Sequence, residues 1–482
     1  MPYKLTIGLK VHAELNTKTK MFCNSANHPD EKKPNSNVCP VCMGYPVTLP
    51  VINKEAIRSI LRLGVAVGGE LADFAEFDRK NYFYPDIPKG YQISQYKRPL
   101  VKGGVLNGVQ LTRVHLEEDA AKSSHEGGDY SLVDFNRAGV PLMELVTEPV
   151  MHTAEEAMRF AKELQLLLQY LNISDANMEK GEMRVEANIS VSRAPLDMLG
   201  TKVEVKNINS FRAVGKAIEY EFKRQTELLE KGEKVVQETR GWDEDIRADG
   251  NIRGIFPQSG ETFSQRLKES AHDYRYFPEP DLPKLFINEV PDLARTVLAK
   301  SLPELPWKKR ERLLKLGITA EHAEIYVTQS EWGRVFNEVI KVLESTKHNK
   351  QNTNKAQNTE HKAQIDKIKL ASNYITNELK KPVEPKELVE VVNMIEAGEI
   401  SSKGAKGVLR VLEERGGRAR EIAERENLMQ ESDPDILNKW IDDVLSDHKE
   451  VPIDFLIGEV MKKSKGRANP VAVRELIEKS KV

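Results

Sequence analysis

LTRVHLEEDAAKSSHEGGDYSLVDFNRAGVPLMELVTEP, residues 111–149, contains two unusual placements of carboxylates. Glu117, Glu118 and Asp119 follow one another at the end of a strand-like segment, and Glu144 lies inside an otherwise apolar run. A buried carboxylate is costly unless a cation meets it, and three adjacent acids repel one another. A shared hard divalent ion such as Mg²⁺ would satisfy both placements. An acidic surface turn, with Glu144 paired to an arginine, explains them equally well.

The composition describes a charge-rich globular protein. The chain has 482 residues, of which 39% are hydrophobic and 30% charged, and at roughly 150 residues per domain we expect about three domains. The net charge of −2 gives no overall attraction to nucleic acid, so any such binding must use local patches. We see no signal peptide and no apolar run long enough for a membrane span, which favours the cytoplasm. Three cysteines argue against a disulfide framework.

Alternating apolar and polar residues predict strands at 5–15, 183–191 and 202–206, in addition to the segment that ends at Glu117. Each of these strands has one face with acids, bases or amides. On the three new strands the polar residues include Lys10, His12, Arg184, Glu186, Asn188, Lys202, Glu204 and Lys206. We therefore expect a mixed α and β structure with an antiparallel character up to about residue 283.

Helices and one long loop complete the predicted organisation. Amphipathic helices are expected at about 153–172 and 211–231. Interleaved aromatic, basic and turn-forming residues at 77–92 predict a loop, either functional or simply packed on its aromatic rings. From residue 284 the pattern is helical, and Ser345–Gln364, rich in Asn, Gln, Lys and Thr, predicts a disordered insertion.

The C-terminal part, residues 401–482, is neutral overall, with 16 Lys and Arg against 16 Asp and Glu. Its bases are nevertheless bunched, because four of them lie within Lys462–Arg467. A bunched basic turn suits an RNA backbone, although a solvated helix end is the more frequent reason for such a bunch.

Cys23, Cys39 and Cys42 have the pattern of an incomplete zinc site. The sequence Cys-Pro-Val-Cys at 39–42 is a common zinc half-site. His28 is the nearest candidate for a fourth ligand, and Ser25 stands where a second upstream cysteine would be expected. Structural zinc is one interpretation, and three reduced, unligated thiols are the other.

The sequence also excludes several kinds of chemistry. It contains no GxxxxGK[ST] phosphate loop, no GxSxG elbow and no amidase signature, and no cysteine has the surroundings of a glutaminase nucleophile. Metal-assisted chemistry remains, with carboxylates and histidine on strands and a loop of Lys, Arg and Tyr above them. Such a set suits phosphoryl transfer, in which Mg²⁺ bridges phosphate oxygens while Lys and Arg neutralise charge.

Ten segments, spread over nearly the whole chain, match one known family. They are IGLKVH (7–12), NVCPVCMGYP (37–46), DRKNYFYPDIPKGYQISQ (78–95), HLEEDAAKS (115–123), LVDFNRAGVPLMELVTEP (132–149), ANIS (187–190), KVEVKNINSF (202–211), QETRGWDE (237–244), DYRYFPEPDLP (273–283) and KSKGRANP (463–470). On these residues the chain resembles the GatB/GatE family, which includes the GatB subunit of the tRNA-dependent amidotransferase GatCAB.

The resemblance implies an α+β fold with three domains: an antiparallel-sheet-based, cradle-shaped catalytic domain at 1–290, an all-α domain at 291–400 and a small helical, YqeY-like, tRNA-binding tail domain at 401–482. It implies ATP-dependent phosphorylation of Glu-tRNA(Gln), Asp-tRNA(Asn) or both, followed by transamidation. Ammonia would come from a partner amidase (glutaminase) subunit, and a small third subunit would complete the complex. The implied cofactors are ATP and Mg²⁺, with structural Zn²⁺ a further candidate.

The resemblance also implies the site residues. As Mg²⁺ ligands it implies His12, Glu118, Glu144, Glu186 and Glu204. In catalysis it implies Lys80, Tyr82, Arg113, Glu117 and Asn188. Lys80 and Arg113 would also bind the nucleotide. Strand parity favours Glu117 over Glu118 on the polar face, whereas a twist at the strand end could present Glu118 instead.

The chain departs from the family at several positions. Lys10 stands where relatives usually have glutamate, Glu186 where they usually have aspartate, and many relatives have a CxC pair where this chain has only Cys23. A lysine at position 10 would repel a cation near His12 or replace it as a fixed charge. One alternative is therefore a tRNA-binding scaffold with weakened kinase chemistry. A zinc-bearing RNA-binding protein without enzymatic activity is another, but it leaves Glu144 unexplained.

Overall fold

The computed structural model describes residues 3–124, 129–193, 199–243, 260–267, 274–345, 354–447, 451–464 and 466–480. The chain divides into two compact units, Met1–Leu305 and Pro306–Val482. The predicted boundary at 290/291 falls inside the first unit. The predicted boundary at 400/401 falls between two helices of the second unit that pack together.

The first unit is built on strands. Those described are β1 (Tyr3–Glu14), β2 (Glu70–Leu71), β3 (Phe74–Ala75), β4 (Asp78–Asn81), β5 (Tyr91–Ser94), β6 (Val101–Lys102), β7 (Val105–Leu106), β8 (Val109–Glu118), β9 (Lys122–Ser124), β10 (Leu132–Asp134), β11 (Pro141–Thr147), β12 (Met183–Arg193), β13 (Val203–Ile208), β14 (Glu238–Asp243), β15 (Glu261–Leu267), β16 (Phe277–Pro278) and β17 (Leu285–Phe286).

Ten of these strands form one sheet in the order β15-β14-β13-β12-β1-β11-β8-β6-β2, with β7 paired to β8. Neighbours run antiparallel except β13 and β14, which are parallel. β1 lies in the centre, between β11 and β12. The strands predicted at 5–15, 183–191 and 202–206 are thus present, and the α+β fold class is confirmed.

Helices bury the apolar face of this sheet. The first unit contains α1 (Lys54–Ala66), α2 (Ala154–Tyr170), α3 (Phe211–Glu230) and α4 (Arg295–Lys300), with 3₁₀ turns at Ile287–Glu289 and Pro291–Leu293. α2 begins with a capping box in which Thr153 and Glu156 satisfy each other's backbone N–H groups. α3 packs against β12 and β13. Because Leu9 and Val11 of β1 are fully buried, Lys10 and His12 lie on the opposite face.

The predicted loop at 77–92 is only partly a loop. Asp78–Asn81 and Tyr91–Ser94 pair as antiparallel strands, and β16 adds a third strand beside β4. Tertiary pairing overrides the absence of a clear alternation here, since strands of four residues show too few side chains for a period. Residues 82–90 connect the two strands.

The second unit is helical. It contains α5 (Pro306–Lys315), α6 (Ala320–Thr328), α7 (Ser330–Ser345), α8 (Asn354–Asn377), α9 (Pro385–Glu396), α10 (Ser402–Arg415), α11 (Ala419–Arg425), α12 (Pro434–Asp447), α13 (Ile453–Lys463) and α14 (Pro470–Ser480). α10 and α11 pack against α9, whereas α12–α14 surround a core of their own that includes Leu437, Ile441 and Val460. Among the described helices, none has both the length and the apolar character of a membrane span.

The prediction of a disordered insertion at 345–364 is wrong for residues 354–364, which form the first turns of α8. Lys, Ala, Gln and Glu favour helix, and the same helix continues to Ile368 and Ala371, which are buried in the unit. Tertiary packing of the later turns therefore supports the polar start. Residues 346–353 lie outside the described residues.

Candidate active site

The register of the central strands brings polar side chains from separate segments onto one face. His12 of β1 stands opposite Glu144 of β11, and Lys10 stands opposite Glu186 of β12. On the far side of β12, Asn188 is paired with Glu204 of β13. Antiparallel partners on the same face of a sheet lie close enough for their side chains to touch. Four predicted strands therefore contribute to a single polar surface.

A group of three side chains forms its centre. His12 Nε2 lies 3.1 Å from Glu144 Oε2 and 3.4 Å from Glu117 Oε1. One ligand atom from each residue lies within 4.8 Å of the other two. Ser94 Oγ donates a 3.1 Å hydrogen bond to Glu117 Oε2, which fixes that carboxylate. Glu117 and Glu144 are only 3% and 6% exposed, so their charges need partners.

The electrostatics of this group follow from its burial. Burial alone would lower the pKa of His12, but its hydrogen bonds to Glu117 and Glu144 outweigh that effect and raise the pKa to about 9. Burial likewise opposes ionisation of Glu117, yet the bond from His12 and the charge of Lys80 lower its pKa to about 2. In the metal-free chain at neutral pH, His12 is therefore a cation between two carboxylates.

Two lysines continue this surface across the sheet. Lys10 Nζ lies 2.8 Å from Glu186 Oε2 and 3.9 Å from Glu144 Oε2. Lys206 Nζ lies 3.3 Å from Glu186 Oε1 and 3.8 Å from Glu204 Oε2. Burial opposes the charge of Lys10, but Glu186, Glu144 and Glu204 raise its pKa overall. We call this alternation of acids and bases the charged row; its members are Glu117, His12, Glu144, Lys10, Glu186, Lys206 and Glu204.

Two more bases reach Glu144 from β8. Arg113 Nη2 lies 3.5 Å and His115 Nε2 3.7 Å from Glu144 Oε1. Burial lowers the pKa of His115, so its ring is neutral. His115 Nδ1 and Asn188 Oδ1 are buried and have no hydrogen-bond partner among the described residues. Such orphaned polar atoms are uncommon, and a bound ligand or ion is one way to satisfy them.

A wall of aromatic rings borders the charged row. Lys80 of β4 lies with its Nζ 5.7 Å from the ring centroid of Tyr82 and 5.3 Å from that of Tyr274. Burial, followed by the charge of Glu117, raises the pKa of Tyr82. Lys80, Tyr82 and Arg113 are thus all near the Glu117–Glu144 end of the row.

The structure does not bring Glu118 to this cluster. Lys89 Nζ lies 2.7 Å from Glu118 Oε1, and the Ile93 N–H donates a 2.9 Å hydrogen bond to the same carboxylate. β8 keeps its regular alternation to its last residue, so Glu117 and Glu118 point to opposite faces. The expectation of Glu118 beside His12 and Glu144 is therefore corrected in favour of Glu117.

The sequence analysis missed several residues that meet the predicted ones. Lys206 and His115 could have been found, because each stands two positions from Glu204 or Glu117 on the same strand face. Thr239, whose Oγ1 donates a 3.0 Å hydrogen bond to Glu204 Oε2, comes from β14 and gave no signal of its own.

The three cysteines also converge, with their Sγ atoms within 4.8 Å of one another. Cys42 Sγ accepts the Cys39 N–H at 3.1 Å and lies 3.7 Å from the Nζ of the buried Lys20. A hydrogen bond from Cys23 is the main reason that the pKa of Cys42 falls to about 4. His28, although described, is not among the ligand atoms of this group, and Ser25 Oγ lies 3.8 Å from Cys42 Sγ instead.

A central sheet whose polar face carries acidic, histidine and lysine side chains defines a class of charge-handling catalytic site. Residues 5–290 match the family model of the GatB/GatE catalytic domain, and residues 335–480 match that of the GatB domain. The chain therefore belongs to the GatB/GatE family.

Curated relatives cover the whole chain, and each is named as the GatB-type subunit of an aspartyl/glutamyl-tRNA(Asn/Gln) amidotransferase. The relative from Thermodesulfovibrio yellowstonii is 41% identical over 496 residues, 99% of this chain and 99% of the relative. The proteins of the same name from Gloeothece citriformis and Dehalococcoides mccartyi are also 41% identical, over 99% of this chain and 97% and 99% of the relatives.

Proposed function

We propose that this chain is the component of a glutamine-dependent aminoacyl-tRNA amidotransferase that activates misacylated tRNA. ATP phosphorylates the side-chain carboxylate of Glu-tRNA(Gln), Asp-tRNA(Asn) or both, and ammonia then displaces the phosphate to give the amide. The single observation that carries this proposal is the charged row, which gathers acids and bases from five strands at one place. Family membership and relatives of that name support it.

The residues of the row suit Mg²⁺ at one end. Glu117 and Glu144 offer buried carboxylate oxygens and His12 a ring nitrogen, all within 4.8 Å, which is the hard donor chemistry that Mg²⁺ accepts. When bound, Mg²⁺ would neutralise phosphate charge and orient the phosphates. Glu186 and Glu204 are already paired with Lys10 and Lys206, so we assign them to holding the two lysines.

The remaining groups act on the reacting phosphate. Lys80 and Arg113, at the Glu117–Glu144 end, neutralise the γ-phosphate. An oxygen of the aminoacyl carboxylate bonds to the γ-phosphorus while the bond to the bridging oxygen breaks and ADP leaves. Ammonia then attacks the acyl carbon, phosphate leaves and the new amide loses a proton. Tyr82 and Asn188 border the same surface and position the aminoacyl end.

The test is made on the complex assembled with its amidase (glutaminase) subunit and its small third subunit. Glu144→Gln should lower ATP hydrolysis stimulated by Glu-tRNA(Gln) by about 10²–10³-fold, the scale of losing one group that stabilises charge in the transition state. Glu179→Gln, an exposed change outside the row, is the matched control. Undiminished ATP hydrolysis and Gln-tRNA formation by Glu144→Gln would refute the proposed site.

One observation favours the scaffold alternative: Lys10 places a fixed positive charge 3.9 Å from Glu144, where it competes with a metal ion. A scaffold would bind the misacylated tRNA with unchanged affinity while the wild-type complex showed no tRNA-stimulated ATP hydrolysis. Measuring both in one preparation separates the two functions.

Three further assignments belong to the same proposal. The complex acts in the cytoplasm. The cysteine group holds structural Zn²⁺ with three thiolates and a fourth ligand supplied by water or Ser25. The tail domain, 401–482, contacts tRNA, although Lys462 and Lys463 are paired with Glu459 and Asp443 at 3.3 and 2.9 Å, which reduces the charge available to RNA. Reversing the charges of Lys462 and Arg467 should weaken tRNA binding in a filter assay.

A further inference from the structure

Tyr96 and Tyr276 form a stacked pair at the surface. Their ring centroids are 4.4 Å apart and their planes differ by 8°. Tyr96 is 44% exposed, whereas Tyr276 is half-buried beneath it. A large aromatic ring held flat and open to solvent loses the benefit of burial. This arrangement therefore has a cost that packing of the first unit alone does not explain.

The segment that carries Tyr96 is held rigidly. Asp78 Oδ2 accepts the Tyr96 N–H at 2.8 Å and the Lys97 N–H at 3.4 Å, and Asp78 is buried. Tyr96 follows β5 by two residues, and Tyr276 directly precedes β16; both strands pair with β4. One small sheet thus fixes both rings, so the pair is preorganised rather than a chance contact of mobile side chains.

The pair is continuous with the charged row. The ring centroids of Tyr276 and Tyr274 lie 6.0 Å apart, and Lys80 Nζ lies 5.3 Å from the Tyr274 centroid. Burial raises the pKa of Tyr276, and Glu117 and Glu144 raise it further, which places its hydroxyl within the field of those carboxylates. The exposed ring of Tyr96 is therefore the outer end of an aromatic path that starts at the proposed phosphate site.

An exposed aromatic ring followed by two bases is the arrangement with which proteins stack an unpaired base and hold its backbone. Lys97 and Arg98 follow Tyr96 directly and both are exposed. We propose that Tyr96, supported by Tyr276, is a stacking platform for a nucleobase whose phosphates or aminoacyl group reach the charged row. This inference rests on the proposed function, which supplies two sources for the base: the adenine of ATP and the unpaired 3′ end of the tRNA.

The test compares Tyr96→Leu, which removes the ring at similar bulk, with Tyr96→Phe, which keeps it, in the assembled complex. KM for ATP is measured at saturating Glu-tRNA(Gln), and KM for Glu-tRNA(Gln) at saturating ATP. One stacked base is worth about 1–3 kcal/mol, so Tyr96→Leu should raise one KM by about tenfold or more, with Tyr96→Phe close to wild type. A rise in KM for ATP identifies the adenine of ATP, and a rise for tRNA identifies the 3′ end.

Tyr96→Trp guards against a trivial effect of misfolding, because a larger ring should lower the same KM that Tyr96→Leu raises. The proposal is overturned if Tyr96→Leu leaves both KM values within about twofold of wild type, if it raises both equally, or if Tyr96→Phe is as impaired as Tyr96→Leu. A wild-type complex without tRNA-stimulated ATP hydrolysis would instead refute the proposed function, so the two failures are distinguishable.

Discussion

Replacing Lys10 with methionine is expected to strengthen Mg²⁺ binding, because the substitution removes a positive charge beside a ligand. A Mg²⁺ ion bound about 2.1 Å from Glu144 Oε2 would lie within about 6 Å of the Lys10 ammonium, which is 3.9 Å from that oxygen. Repulsion between these charges is ~1.4 kcal/mol in water and ~5 kcal/mol at an effective dielectric of about 20. Even the smaller figure corresponds to about a tenfold change in affinity.

The assay is isothermal titration of MgCl₂ into the assembled complex without ATP. Lys10→Glu should bind Mg²⁺ more tightly still, since it adds a carboxylate to the site. Lys206→Met is the matched control: its ammonium contacts Glu186 and Glu204 rather than Glu144, so its effect should be smaller. Glu186 keeps Lys206 at 3.3 Å in Lys10→Met, so the loss of stability to urea should stay below the ~3–5 kcal/mol typical of an orphaned buried charge. Unchanged or weaker Mg²⁺ binding by both Lys10 variants would refute this reasoning.

Three other outcomes are expected. Because the pKa of His12 is about 9, Mg²⁺ must displace a proton from it, so Mg²⁺ affinity should rise by up to about tenfold per pH unit from neutral pH to about 9; titrations in two buffers of different ionisation enthalpy should show proton release, and an affinity independent of pH would contradict the assignment. Glu117→Gln should weaken Mg²⁺ binding by at least about tenfold while Glu118→Gln, which faces Lys89, changes it by less than about twofold; the reverse order in the same titration would exclude Glu117 as the ligand. Cys39→Ser should remove most of about one equivalent of zinc found by elemental analysis of the wild-type protein, and a wild-type protein free of zinc after expression with added zinc would show that these thiols are unligated.

Strand periodicity predicted much of the site. The alternation along β1, β12 and β13 put His12, Glu186 and Glu204 on polar faces, and the structure places all three on one surface. The period of two is a local property, so it can be read from the sequence. It also favoured Glu117 over Glu118, and the regular geometry of β8 agrees with that parity, whereas the resemblance had pointed to Glu118.

Pairing between distant segments could not be predicted. The contact between Lys10 and Glu186 depends on the register of β1 and β12, whose paired residues are far apart in the chain. A register shifted by one residue would turn each side chain to the other face. For the same reason the stack of Tyr96 on Tyr276 gave no sequence signal, since its two rings come from strands joined only through β4.

The helical unit shows a different limit. Polar composition at 354–364 correctly indicated that this segment has little apolar surface to bury, but not that it would extend a helix anchored by Ile368 and Ala371. Composition reports the burial that a segment can achieve, whereas helix formation also depends on the residues that follow. Family recognition, by contrast, was confirmed over nearly the whole chain.

The most direct measurement is the position of a bound divalent ion in crystals of the protein grown with Mn²⁺, located by anomalous scattering at the manganese edge. The proposed site predicts a peak about 2.1–2.3 Å from oxygens of Glu117 and Glu144 and from His12 Nε2. A peak beside Glu118 and Lys89, or none on the polar face of the central sheet, would contradict it.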